Sequence, residues 1–165
     1  MSFIRHRGKT KLMYFKKTDT TAASSLKNGS LVGLTDSGNL TYLANDSTDR
    51  VIGVCRLTVS ATDTSSWQGV PLVPVEVPVE SGVEWLIDTD TDGGALDSDV
   101  GRYCAVDTAT ASDSESTRVD VSDTAQRTVF ITGIVSATKV IGVIAKSALS
   151  PARQLQSDTT DANVA

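Results

Sequence analysis

Apolar residues in this chain fall in short β-branched runs and not in helical stripes. The densest stretch is Thr128 to Ala145, where two runs rich in Val and Ile flank a polar break at Ser136-Ala137-Thr138-Lys139. Neither run has the length or the 3.6-residue period of a helix. The stretch reads as two strands joined by a tight turn, buried on both faces. Gly133 and Gly142 lie inside the runs, where a strand glycine marks a bulge or the close approach of another backbone. Arg50-Val51-Ile52-Gly53-Val54 repeats the wording of Lys139-Val140-Ile141-Gly142-Val143 and predicts another core strand.

The same pattern continues along the chain. Ser30 to Thr35 and Asn39 to Ala44 form a predicted hairpin around Asp36-Ser37-Gly38, after a turn at Asn28-Gly29. Arg50 to Ser60 is a strand whose later half alternates Cys55, Leu57 and Val59 with Arg56 and Thr58, so one face comes out to water. Ala61 to Gly69 is a polar loop carrying Trp67, either packed beneath the loop or offered to a partner. In Pro71 to Glu80, Val73, Val75, Val77 and Val79 line one face. Pro74 and Pro78 both lack a donor on the same side of the strand, which predicts an edge strand with its proline side outward. Val83 to Ile87, with Trp85 packed, and Val100 to Val106 are further strands. Asp107 to Gln126 is a Ser/Thr/Asp-rich excursion holding one short strand, Arg118 to Val121. Ser150-Pro151 opens a single helical turn, and Asp158 to Ala165 has no pattern that would order it.

This is an all-β class: a small β-barrel or β-sandwich, β-tulip-like, with an extended N-terminal arm. The predicted division is a basic arm and linker at 1–27, a β domain at 28–149 and a polar tail at 150–165. At 165 residues one core is expected.

Charge changes the picture at the N-terminus. The first seventeen residues hold Arg5, Arg7, Lys9, Lys11, Lys16 and Lys17 and no acid, whereas the remainder has nine basic against twenty acidic residues. Between these cations lie Phe3, Ile4, Leu12, Met13, Tyr14 and Phe15. Two readings stay open. The segment is an arm that orders against a partner, adding a strand or filling a groove, or it is the domain's own first strand. Phe3, Ile4, Arg5, Arg7, Lys9, Lys11, Leu12, Tyr14, Phe15, Lys16 and Lys17 are the candidate partner-binding residues. Nucleic acid is not the expected partner, because the acidic remainder repels phosphate. No run reaches the length of a membrane span, and no secretory leader is expected. Cys55 and Cys104 are expected as buried reduced thiols, with a disulfide left open.

Candidate chemistry is sparse. Asp88-Thr89-Asp90-Thr91-Asp92-Gly93 has the acidic spacing of a calcium loop, with Asp99 at the twelfth position, where such loops place a bidentate Glu. Asp88, Asp90, Asp92 and Asp99 are therefore candidate calcium ligands, against the plainer reading of an acidic turn. No other cofactor is expected. The only histidine is His6, among the N-terminal cations, so a histidine base in a domain cleft is not expected. No phosphate-cradling glycine loop occurs, and zinc would need four clustered N or S ligands where the chain has three such residues. The expectation is a protein that is not an enzyme.

One arrangement resembles a known family. Gly29-Ser30-Leu31-Val32-Gly33-Leu34, then Ser37 to Ala44, then Arg50-Val51-Ile52-Gly53-Val54, and later Asp99-Val100-Gly101-Arg102-Tyr103-Cys104-Ala105-Val106 are similar to capsid decoration, or cement, proteins of tailed bacteriophages. The resemblance covers roughly residues 28 to 145. It implies a non-enzymatic virion protein on the outer surface of the head that binds the major capsid protein and stabilises the mature shell. It also implies a homo-oligomer, a trimer by preference, and no membrane contact. Two other readings are a different virion component, such as a head fibre base or tail protein, and a calcium-dependent carbohydrate-binding module using Asp88, Asp90 and Asp92 with Trp67 or Trp85 as a stacking platform.

Overall fold

Among the described residues eleven strands form two antiparallel sheets packed together in a β-sandwich-like fold, seen in a computed structural model. The structure describes residues 3–16, 26–34, 39–43, 51–59, 72–90, 94–107, 117–124 and 127–145. Lys17, Trp67, Asp92 and the segments 150–151 and 158–165 lie outside them.

The strands are β1 (Ile4–Arg7), β2 (Thr10–Lys16), β3 (Leu31–Leu34), β4 (Leu40–Tyr42), β5 (Val51–Cys55), β6 (Leu72–Pro78), β7 (Glu84–Asp88), β8 (Tyr103–Asp107), β9 (Arg118–Asp120), β10 (Val129–Ser136) and β11 (Lys139–Ile144). One sheet runs β1-β7-β11-β10-β8-β9 and the other β2-β6-β5-β3-β4. The six-stranded sheet curls until β9, at its far edge, meets the residues that follow β7. Thr89 and Val119 form a parallel bridge, and the Asp90 N–H donates to the Val119 carbonyl at 2.9 Å.

Two apolar layers result. Trp85, Ile87, Cys104, Val129, Ile131, Val140 and Ile144 of the larger sheet meet Leu31, Val51 and Val54 of the smaller one. On the other face of the smaller sheet, Val32, Ile52, Cys55, Val73, Val75 and Val77 pack with Leu26 and Val59. β5 lies between the layers, and all five of its residues are buried. Ser30 and Thr117 stitch the sheets together: the Leu31 N–H donates to Thr117 Oγ1 and the Thr117 N–H to Ser30 Oγ.

The repeated Val-Ile-Gly-Val wording has one structural meaning in both places. A Cβ on Gly53 would stand 2.4 Å from the Glu76 carbonyl oxygen, and one on Gly142 would stand 2.7 Å from Val129 Cγ1. Each glycine admits a neighbouring strand that a side chain would hold off. The β10–β11 hairpin turns at Ala137-Thr138, within the expected break. Its burial differs from the expectation: β11 alternates buried and half-buried residues, and the last half of β10 faces outward. The hairpin covers the core with one face only.

Two further corrections concern edges. β6 is an inner strand, not an edge, with β2 on one side and β5 on the other. The valine donors do face one neighbour, β2, with Val73, Val75 and Val77 opposite Phe15, Met13 and Lys11. On the proline side β5 pairs only at Val54–Glu76 and Cys55–Val75. Glu76 is the residue between the two prolines that still has an N–H, so a short pairing there is compatible with both rings.

The N-terminal segment is also not separate from the domain. β1 pairs with β7 at one end of the larger sheet, and β2 pairs with β6 at one end of the smaller. Gly8, at φ +101°, lies where the chain leaves one sheet for the other. The β6–β7 connection makes the same crossing alongside it, with the Val79 N–H donating to the Lys9 carbonyl. These paired crossings form a corner of the sandwich. Phe3 is completely buried in the inter-sheet core. The predicted boundary at residue 27 is therefore not a boundary between an arm and a body.

Candidate functional site

The corner places the charged N-terminal residues on ordered backbone. β2 is the outermost strand of its sheet, and its seven residues stay in unbroken register with β6. Tyr14 is 61% exposed, Leu12 49% and Met13 37%. Lys9, Lys11 and Lys16 are exposed beside them, as is Arg7 on β1. Among the described residues these four cations form no ion pair. Ile4 is also exposed on β1. Phe3 is a core residue and Phe15 is half-buried against the second apolar layer, so neither is a surface contact of the kind expected.

Arg5 has a different role. Its guanidinium lies 3.5 Å from Glu76 and donates to Thr10 Oγ1, which itself donates to Glu76 at 2.6 Å. Arg56 donates to the other Glu76 oxygen at 2.6 Å and to the Phe3 carbonyl at 2.8 Å, and lies 5.7 Å from the Trp85 ring centroid. Glu76 thus joins β1, β2 and the end of β5 through one half-buried carboxylate. This group holds the corner in shape and leaves Arg7, Lys9, Lys11 and Lys16 to face outward.

Among the described residues the candidate calcium ligands Asp88, Asp90 and Asp99 form no cluster; Asp92 lies outside them. Asp88 is paired with Lys139. Asp99 accepts the Leu96 N–H at 2.9 Å and pairs with Arg102 at 2.9 Å, capping the 3₁₀ turn Asp97–Asp99. Among the described residues no three carboxylate, imidazole or thiol groups gather as a cation site would require. Asp88 and Asp90 instead border a hollow of about 400 Å³ with Thr89, Arg118, Thr138 and Lys139. Trp85 is completely buried and offers no stacking face to a sugar.

Both thiols are free and buried, Cys104 in the inter-sheet layer and Cys55 in the second. Burial pushes the Cys104 thiol up to about 11, with Arg102 opposing the rise and Asp99, Asp120 and Asp123 adding to it. Burial also raises Cys55, against a backbone hydrogen bond at Leu57 and the charge of Arg56. A raised thiol pKa suppresses the nucleophilic thiolate.

No protein-family model, curated protein or solved structure matches this chain. The surface formed by β1 and β2 therefore has to be interpreted from its own chemistry.

Proposed function

We propose that this chain is a non-enzymatic structural protein of a tailed-bacteriophage virion. It binds the outer surface of the head through the β1–β2 surface, contacts the major capsid protein and cements neighbouring capsomers as a homo-oligomer, by preference a trimer. One observation carries the reading. Lys11 and Lys16, without ion-pair partners among the described residues, share the outermost strand β2 with exposed Leu12, Met13 and Tyr14, while the rest of the chain is strongly acidic. Such a surface suits adhesion to an acidic protein. The strand wording similar to decoration proteins supplies the setting.

Electron microscopy of virions carrying a labelled form of the protein tests this. Label at regular positions on the head exterior is expected. Label on the tail or at a fibre base would replace the reading with another virion role, and absence from purified particles would overturn both.

A further inference from the structure

From the side of β2 that no other described strand pairs with, we infer that this strand receives one more strand, an extended acidic segment of a different protein. The inference rests on the β1–β2 surface proposed above and specifies how that surface grips its partner.

The alternation of the backbone fixes which groups are available. The Arg56 N–H donates to the Pro74 carbonyl, and the Val79 N–H donates to the Lys9 carbonyl. Even-numbered residues of β6 therefore address β5, and odd-numbered ones address β2. In the observed register Lys11, Met13 and Phe15 use their backbone groups on β6. Leu12, Tyr14 and Lys16 turn theirs to the side where no other described strand pairs, about 6.8 Å apart, the repeat that an added strand matches.

β2 is also the least protected of the four edges. β4 and β9 have three residues each, and β1 has four with a register shift between Arg5 and Arg7. β2 has seven and neither proline nor shift.

Charge decides the occupant. Lysines on an edge ordinarily repel further strands. Here they repel a basic strand and attract an acidic one, while Leu12 and Tyr14 supply apolar contact. Pairing of β2 with β2 of a second copy would bring Lys9, Lys11 and Lys16 of both chains onto one ribbon, which like-charge repulsion opposes.

The test uses the full chain and two labelled twelve-residue peptides, one alternating Glu with Val and one alternating Lys with Val. Fluorescence anisotropy should show the acidic peptide binding at least about tenfold more tightly. Tyr14→Pro removes one outward N–H and none that holds β2 to β6; Tyr14→Ala keeps that N–H and removes the ring. Tyr14→Pro should weaken the acidic peptide about tenfold more than Tyr14→Ala does. Hydrogen exchange in the unaltered protein is independent of either variant folding. The acidic peptide should slow the amides of Leu12 and Tyr14 and leave those of Lys11 and Met13 unchanged.

No saturable binding of the acidic peptide overturns the inference. So does equal loss in the two Tyr14 variants, or unslowed amides, since the peptide would then be held by charge alone. Self-association that Tyr14→Pro abolishes would assign the edge to a second copy, and displacement by an equally charged single-stranded oligonucleotide would assign it to nucleic acid. Head labelling that survives Tyr14→Pro would overturn strand addition and leave the virion reading standing; peptide binding without head labelling would do the reverse.

Discussion

Arg56 and Glu76 form a side-on ion pair, with Arg56 Nε 2.6 Å from one carboxylate oxygen, at the corner where the two sheets meet. Both side chains are largely shielded from water, at 18% and 15% exposure. Glu76→Gln leaves Arg56 short of its counter-charge and should cost about 2–4 kcal/mol in urea denaturation. Adding Arg56→Met should recover part of that loss, because the stranded cation is then gone. A double variant no more stable than Glu76→Gln would show that the pair is not the source of the effect.

Removing the N-terminal segment should not leave a folded body. Phe3 is fully buried and β1 and β2 complete both sheets. Phe3→Ala alone should cost about 3–5 kcal/mol. Deletion of residues 1–17 should abolish the cooperative melt seen by circular dichroism. Charge reversal at Lys11 and Lys16 is the cleaner way to alter the surface, since both side chains are exposed.

The glycines separate by position. Gly142→Ala should destabilise by about 1–3 kcal/mol because Val129 must move. Gly53→Ala should cost more, because the obstruction is the Glu76 backbone oxygen. Gly133→Ala meets only Ile141 atoms at 3.8 Å and should change stability by less than about 0.5 kcal/mol. Thermal melts of the three variants check the order.

Alkaline pH should weaken the fold partly through Cys104. Its folded pKa, about 11, lies above the ordinary value of 9.0. The folded state holds the proton more tightly, so this stability is complete below about pH 9 and is lost as pH rises toward 11. The loss is on the order of 2–3 kcal/mol and should be smaller in Cys104→Ala. Denaturant midpoints at pH 8 and pH 10.5, conditions on the order of those limits, measure the difference.

Calcium at about 5 mM should leave the melting temperature unchanged. A site half-filled at about 0.1 mM would add about 2 kcal/mol, a shift of several degrees. Asp88 and Asp99 already have other partners, Lys139 and Arg102.

Much of the strand pattern was legible because alternation reports burial directly. β-branched runs marked β5, β10 and β11, and the glycines inside the last two marked a register shift at Gly133 and a close approach at Gly142; the close approach at Gly53 was not read from the echo. The edge status of β6 was not legible, because proline spacing shows which side lacks donors and not how little of that side a neighbour must use. Glu76 was missed as an organising residue. Its sequence setting, Pro-Val-Glu-Val-Pro, places an acid between prolines but gives no sign that Arg5, Thr10 and Arg56 converge on it. The N-terminal cations were legible as charge. Their division into Arg5, turned to Glu76, and Arg7, Lys9, Lys11 and Lys16, turned outward, needed the sheet register.

The corner also sets an order of assembly. Lys16 waits for Leu72 and Ile4 for Leu86, so residues made first on the ribosome find their places only 56 to 82 residues later. Such distant closures are slow. During that interval the leading strands stay unpaired, and a nascent chain carrying Phe3, Leu12 and Tyr14 uncovered is a natural client for chaperones.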